Sequence, residues 1–114
     1  MMRWLAILFA LFVLPGSYLL KAQIAFNNGA IMNYPNPFSN QTTIVFSLGN
    51  NSTINVYITD MSGKKLIDLV KNVGYAKGSH SIIYNSGNLS DGNYICILET
   101  SSGSKKALKM VKVR

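Results

Sequence analysis

The side chains best suited to nucleophilic and acid–base chemistry in this sequence are His80, Cys96, Asp60, Asp68, Asp91 and Glu99. A nucleophile set can be written from Cys96, His80 and Asp91, because a thiol needs an adjacent base and the base needs an orienting group. The surrounding residues argue against it. Cys96 sits inside Tyr94-Ile95-Cys96-Ile97-Leu98, and a free cysteine in such a run behaves as a small buried hydrophobe. As the sole cysteine it has no internal disulfide partner, which leaves a reactive thiol or an intermolecular link as its chemical alternatives. His80 opens a second β-rich run. The carboxylates and His80 are dispersed, without the ligand spacing of zinc or calcium sites. No phosphate-binding glycine loop is present. The sequence therefore assigns no catalytic residue, no cofactor and no metal, and the protein reads as a non-enzyme.

The other chemistry on offer is charge. The 114 residues carry 11 Lys/Arg against four Asp/Glu, a formal net charge of +7. Lys105, Lys106, Lys109, Lys112 and Arg114 fall in the last ten residues, which hold no acid. Clustered cations attract phosphate. The aromatic residues do not interleave with these lysines to form a stacking platform, and nucleic acid is not an expected partner. Two readings stay open: charge that guards a strand edge against aggregation, or a surface that docks electrostatically on an acidic partner.

The N-terminus has the layout of a secretory signal peptide over residues 1–22. Arg3 is followed by an uninterrupted apolar run from Trp4 to Leu14, then by Pro15-Gly16-Ser17 and a small residue, Ala22. The run of 11 residues is short of the roughly 20 that a spanning helix needs, so no stable membrane span is expected once the signal is removed. The remaining chain keeps nine Lys/Arg against four carboxylates, a net charge of +5. Residues 23–32 read as a short linker and residues 33–114 as one domain.

Within that domain the apolar residues recur every second position. Ile44, Phe46 and Leu48 form one set, Ile54, Val56 and Ile58 another, and Tyr94, Cys96 and Leu98 a third. Asn33-Tyr34-Pro35-Asn36-Pro37-Phe38 reads as a stiff lead-in or edge, with Tyr34 and Phe38 plugging the end of a core. Strands are expected at Thr42–Leu48, Ile54–Thr59, Lys64–Val70, His80–Tyr84, Tyr94–Glu99 and Lys106–Val113. Asp60-Met61-Ser62-Gly63 is a turn in which Asp60 bonds the backbone ahead and Gly63 takes positive φ. Lys71 to Ser79 reads as a connection, and Leu89 as an inward anchor in a polar loop. The run from Tyr94 to Glu99 is apolar enough for a strand covered on both faces. The fold class is all-β, an antiparallel sandwich of about six to seven strands.

These landmarks, in this order, resemble the C-terminal sorting domain of the type IX secretion system of Bacteroidetes-type bacteria. The matching pieces are Tyr34-Pro35-Asn36-Pro37-Phe38, Thr43 to Leu48, Val56 to Asp60 with Gly63 and Lys64, and Gly78 with His80. Leu89 to Tyr94 and Lys109-Met110-Val111 complete the series. The resemblance spans about Asn33 to Arg114. The family often carries Trp where Tyr84 stands and Ser where Asp91 stands.

The resemblance implies an immunoglobulin-like sandwich that acts as an export address. It implies engagement of an outer-membrane translocon and removal by a sortase-like peptidase. It also implies a route through the periplasm to the medium or cell surface, with attachment to an anionic surface polysaccharide as a further step. The recognition residues expected on this reading are Leu89, Gly92, Tyr94, Lys105, Lys106, Lys109, Lys112 and Arg114. Tyr34, Pro35, Asn36, Pro37, Phe38, Asp60 and Gly63 are structural. Almost no cargo separates Gln23 from Asn33, which leaves open a minimal substrate, the end of a fragmented gene or a free-standing decoy or surface module; the alternative function is a free-standing immunoglobulin-like surface binding or adhesion module.

Overall fold

The computed structural model describes residues 30–114, and the signal-peptide reading lies outside the described residues. Seven strands follow one another: β1 (Ile31–Tyr34), β2 (Gln41–Leu48), β3 (Ser52–Thr59), β4 (Lys65–Tyr75), β5 (Gly78–Asn85), β6 (Gly92–Thr100) and β7 (Lys105–Lys112). They form a three-stranded sheet, β1-β2-β5, and a four-stranded sheet, β4-β3-β6-β7. Every strand pair is antiparallel. The fourth strand lies beside the third, not beside the fifth, so this is an immunoglobulin-like sandwich whose fourth strand has joined the opposite sheet.

The period-two pattern explains the register. Ile44, Phe46 and Leu48 from β2 meet Ile54, Val56 and Ile58 from β3 and Tyr94, Cys96 and Leu98 from β6 in one core. Phe38, Val70, Tyr84 and Met110 complete it. Each such side chain contributes about 1.5–3 kcal/mol on burial. The alternation at His80, Ile82 and Tyr84 also faces this core. Phe46 packs against Tyr75 and His80 with ring centroids 5.8 and 5.6 Å away. His80 Nε2 lies 2.6 Å from Ala76 O and pins the β4–β5 crossing.

The short linker read over residues 23–32 runs into β1, where Ile31 and Met32 pair with Phe46 and Val45. Phe38 enters the core as expected, but Tyr34 is half-buried outside it, because it ends an edge strand. Two further features differ from the expectation. Lys71 to Tyr75 continues β4 as an edge strand, and only Ala76 and Lys77 connect it to β5. Gly74 lowers strand propensity there, but pairing of Val73, Gly74 and Tyr75 with Ile54, Thr53 and Ser52 overrides it. Second, β6 is covered on one face only. Ile95 and Ile97 point away from the core and are half-buried by their neighbours on the sheet. That outer face also carries Tyr57, whose hydroxyl donates to Glu99 Oε2 at 2.8 Å. Burial and this carboxylate hold the Tyr57 phenol above its ordinary range. Glu99 in turn pairs with Lys105 at 3.6 Å.

The turn at Asp60 forms as its residues dictate. Asp60 Oδ1 accepts from Ser62 N at 2.9 Å, Ser62 Oγ at 2.6 Å and Lys64 N at 3.0 Å. These bonds, the Ser62 side chain foremost, hold the exposed carboxyl below the usual carboxylate range. Gly63 has φ 94°. One end of the sandwich, here the lower end, gathers this turn, the Pro35–Asn40 connection, the Ser86–Asp91 loop and the C-terminus. The upper end gathers Gly49–Asn51, Ala76–Lys77 and Ser101–Ser104.

Candidate functional site

The lower end brings together residues far apart in sequence. The proline-rich lead-in runs along the outer edge of β7. Asn36 Nδ2 donates to Lys109 O at 3.2 Å, and Val111 N donates to Asn36 Oδ1 at 3.0 Å. One side-chain amide thus supplies both halves of a strand partner. Main chain then takes over: Phe38 N donates to Val111 O at 2.9 Å and Val113 N to Phe38 O at 2.8 Å. Phe38 and Lys112 are bridged in parallel. The last strand is therefore paired on both sides over its final residues, by β6 and by the Asn36–Phe38 segment. Such cover removes the exposed donors and acceptors that make an edge prone to aggregation.

The loop leading into β6 meets the same corner. Tyr94 is buried and its hydroxyl donates to Ser90 O at 2.6 Å. A tyrosine at the start of this strand that bonds the backbone four residues upstream is the corner latch of immunoglobulin-like sandwiches. Gly92 pairs with Lys112 and holds φ 151°, with the Tyr94 ring edge 3.9 Å from where a Cβ would sit. Leu89 is half-buried and packs against the core, as an inward anchor should. Asp91 is the link to the C-terminus. Its Oδ1 lies 3.5 Å from Lys112 Nζ and its Oδ2 lies 3.9 Å from Arg114 Nε. Asp91 thus pairs with the nearly buried Lys112, while the exposed Arg114 lies at the limit of ion-pair distance.

The expected recognition residues divide in space. Leu89, Gly92, Tyr94, Lys112 and Arg114 meet at the lower corner. Lys105 and Lys106 lie at the upper end, and Lys109 faces out from the four-stranded sheet between them. Lys112 differs from the other cations. Its side chain is 10% exposed, it sits on the inward face with Met110, and its ammonium donates to Val113 O at 3.0 Å. Lys112 departs from the other four because its register puts it on the buried face. Asp91 is not among the expected recognition residues, although its place opposite the C-terminal cations follows from the β6–β7 hairpin register.

Other chemistry is not assembled. Cys96 is fully buried and its thiol is pushed up to about 12 by that burial. His80 stacks edge-on with Tyr75, on a strand of the opposite sheet from Cys96. Among the described residues no group of three or more His, Cys, Asp or Glu is placed to hold a metal ion. No helix among them is long and apolar enough to cross a membrane.

Compared with known families, residues 32–113 match the secretion system C-terminal sorting domain, a type IX secretion family. The chain belongs to that family. The match takes in β2 to β7 whole, β1 from Met32 and the lower corner as far as Val113. No curated protein matches the chain. A sorting domain of this family serves the secretion machinery as a signal, so its presence implies export to the cell surface or the medium. The sorting domain contains the Pro35–Phe38 segment, the Asp60–Gly63 turn and the β6–β7 hairpin as parts of one folded unit.

Proposed function

We propose that the sorting domain is an export address whose readable face is the lower corner, formed by Leu89, Asp91, Gly92, Lys112 and Arg114 with Asn36 and Phe38 behind it. The observation that carries this reading is the family match over residues 32–113. The geometry supports the choice of corner. The end of β7 is paired on both edges and Lys112 is held by Asp91, so a receptor meets a largely preformed surface and loses little entropy in ordering it. On this reading the outer-membrane translocon binds the corner. A sortase-like peptidase then removes the domain, and attachment to a surface polysaccharide follows.

The test fuses residues 30–114 behind a signal peptide and a reporter. It is expressed in a host with the type IX system and in a mutant lacking it. The reporter reaches the surface or medium in the first and stays in the periplasm in the second. Deleting residues 109–114 strips the partner from β6 and leaves an unstable periplasmic reporter. Asp91→Asn with Arg114→Gln leaves a folded reporter that exports poorly. Equal export in the two hosts overturns the reading; normal export of the double variant moves the address away from this corner. A shorter exported reporter reports the peptidase step.

A second reading, an immunoglobulin-like surface binding or adhesion module, is favoured by one observation: the upper end carries its own cleft, edged by hydroxyls, an amide and Lys106.

A further inference from the structure

The upper end presents the loops that variable immunoglobulin domains use for binding, and two of them, Gly49–Asn51 and Ser101–Ser104, consist of Gly, Asn and Ser. They are held together. Ser101 N donates to Thr53 O at 2.8 Å, Thr53 N to Ser101 Oγ at 3.2 Å, and Lys77 N to Asn51 Oδ1 at 2.9 Å. Between the Gly49–Asn51 turn and the β6–β7 hairpin lies a cleft of about 280 Å³. Leu48 and Leu98, both buried, lie at its base. Asn50, Ser102, Ser104 and Lys106 stand around it, and no carboxylate lines it.

Strand alternation explains why Lys106 is there. Lys105 points to the outer face of the sheet and pairs with Glu99 at 3.6 Å. Lys106 faces the other way, in register with Leu98. No carboxylate of the described residues lies within ion-pair distance of its ammonium. The hairpin hydroxyls are partly committed. Thr100 Oγ1 lies 2.8 Å from Ser102 Oγ and accepts from Ser104 N at 3.2 Å. The Ser104 hydroxyl and the Asn50 amide make no hydrogen bond to a described residue and, with the Lys106 ammonium, are three donors at one cleft.

We infer that this cleft binds a single acidic sugar unit of the uronate class. The carboxylate would sit against Lys106 and the Ser104 hydroxyl in charge-assisted hydrogen bonds. The sugar hydroxyls would exchange bonds with the Ser102 hydroxyl and Asn50 amide. The volume is at the small end for ligand pockets and suits one ring, not a chain segment buried end to end. The site lies at the opposite end of the sandwich from the export corner and does not depend on that reading.

The test titrates D-glucuronate into the full chain and follows backbone amide shifts. Glucuronate shifts Asn50, Ser102, Ser104 and Lys106 together and saturably, while glucose binds at least tenfold more weakly. Lys106→Gln lowers glucuronate affinity tenfold or more with an unchanged melting midpoint. Lys109→Gln, which removes another unpaired lysine of β7 on the outer face, leaves affinity as it was. Equal loss in the two variants overturns the inference, because the attraction is then net charge alone. Equal affinity for glucose removes the role of the carboxylate. Inorganic phosphate binding as tightly as glucuronate removes the role of the sugar ring.

Discussion

Two side chains show how little a residue's type says without its surroundings. Tyr84 is buried, and its hydroxyl has no hydrogen-bond partner among the described residues. Burial, with Tyr94 nearby, raises its pKa. A buried hydroxyl without a partner costs about 1–3 kcal/mol in desolvation. Tyr84→Phe keeps the ring packed edge-on to Phe38 and deletes that cost, so its thermal midpoint should equal or exceed the parent's. A clear fall in the midpoint would mean the hydroxyl is bonded. Gly63 is the other case. A Cβ there would meet no atom within 4 Å, so the penalty for a side chain is in the backbone alone. At φ 94°, Gly63→Val should destabilise by about 1–2 kcal/mol and Gly63→Asn by less, since Asn tolerates this region better. Chemical denaturation of both variants measures the difference, and equal midpoints would contradict it.

Elements impose a different logic, in which neighbouring residues on one strand have unlike fates. Leu98 is 1% exposed, whereas Ile97 lies on the uncovered face of the same strand. Leu98→Ala should cost about 2–5 kcal/mol through the cavity it leaves. Ile97→Thr keeps β-branching on a half-exposed face and should cost under about 1 kcal/mol. Comparable costs at the two positions would show that the outer face is covered in solution. The edge of β7 offers a second measurement. Asn36 supplies two hydrogen bonds to that edge. Asn36→Ala should destabilise by about 1–3 kcal/mol, and exchange of the Val111 amide should accelerate selectively. Unchanged Val111 exchange would show that the edge does not depend on the lead-in segment.

As a whole molecule the domain is one core with two differently equipped ends. Phe46 is fully buried between the sheets and touches the aromatic pair Tyr75 and His80. Phe46→Ala should cost about 3–5 kcal/mol, a large share of the stability of a domain this size. Both ends should loosen together in one cooperative unfolding transition. A variant that loses the upper loops while the Asn36–β7 bonds persist would mean the ends fold independently. Shared dependence on one core, with no contact between corner and cleft, lets the two functional tests be read separately.

Residue order alone yields the strand count to within one, the inward sets of β2, β3 and β6, the Asp60–Gly63 turn and the order of landmarks that marks a sorting domain. These are local properties: a period of two and turn chemistry operate over a few residues. Folding settles what depends on which segments meet. It paired Asn36 with β7 from 73 and 75 residues away in sequence. It set Asp91 against Lys112 and Arg114, and turned one terminal lysine inward while its fellows face water or the upper cleft. Composition counts five cations as one patch. Sheet pairing and alternation distribute them between two ends and two faces, because successive side chains on a strand point opposite ways.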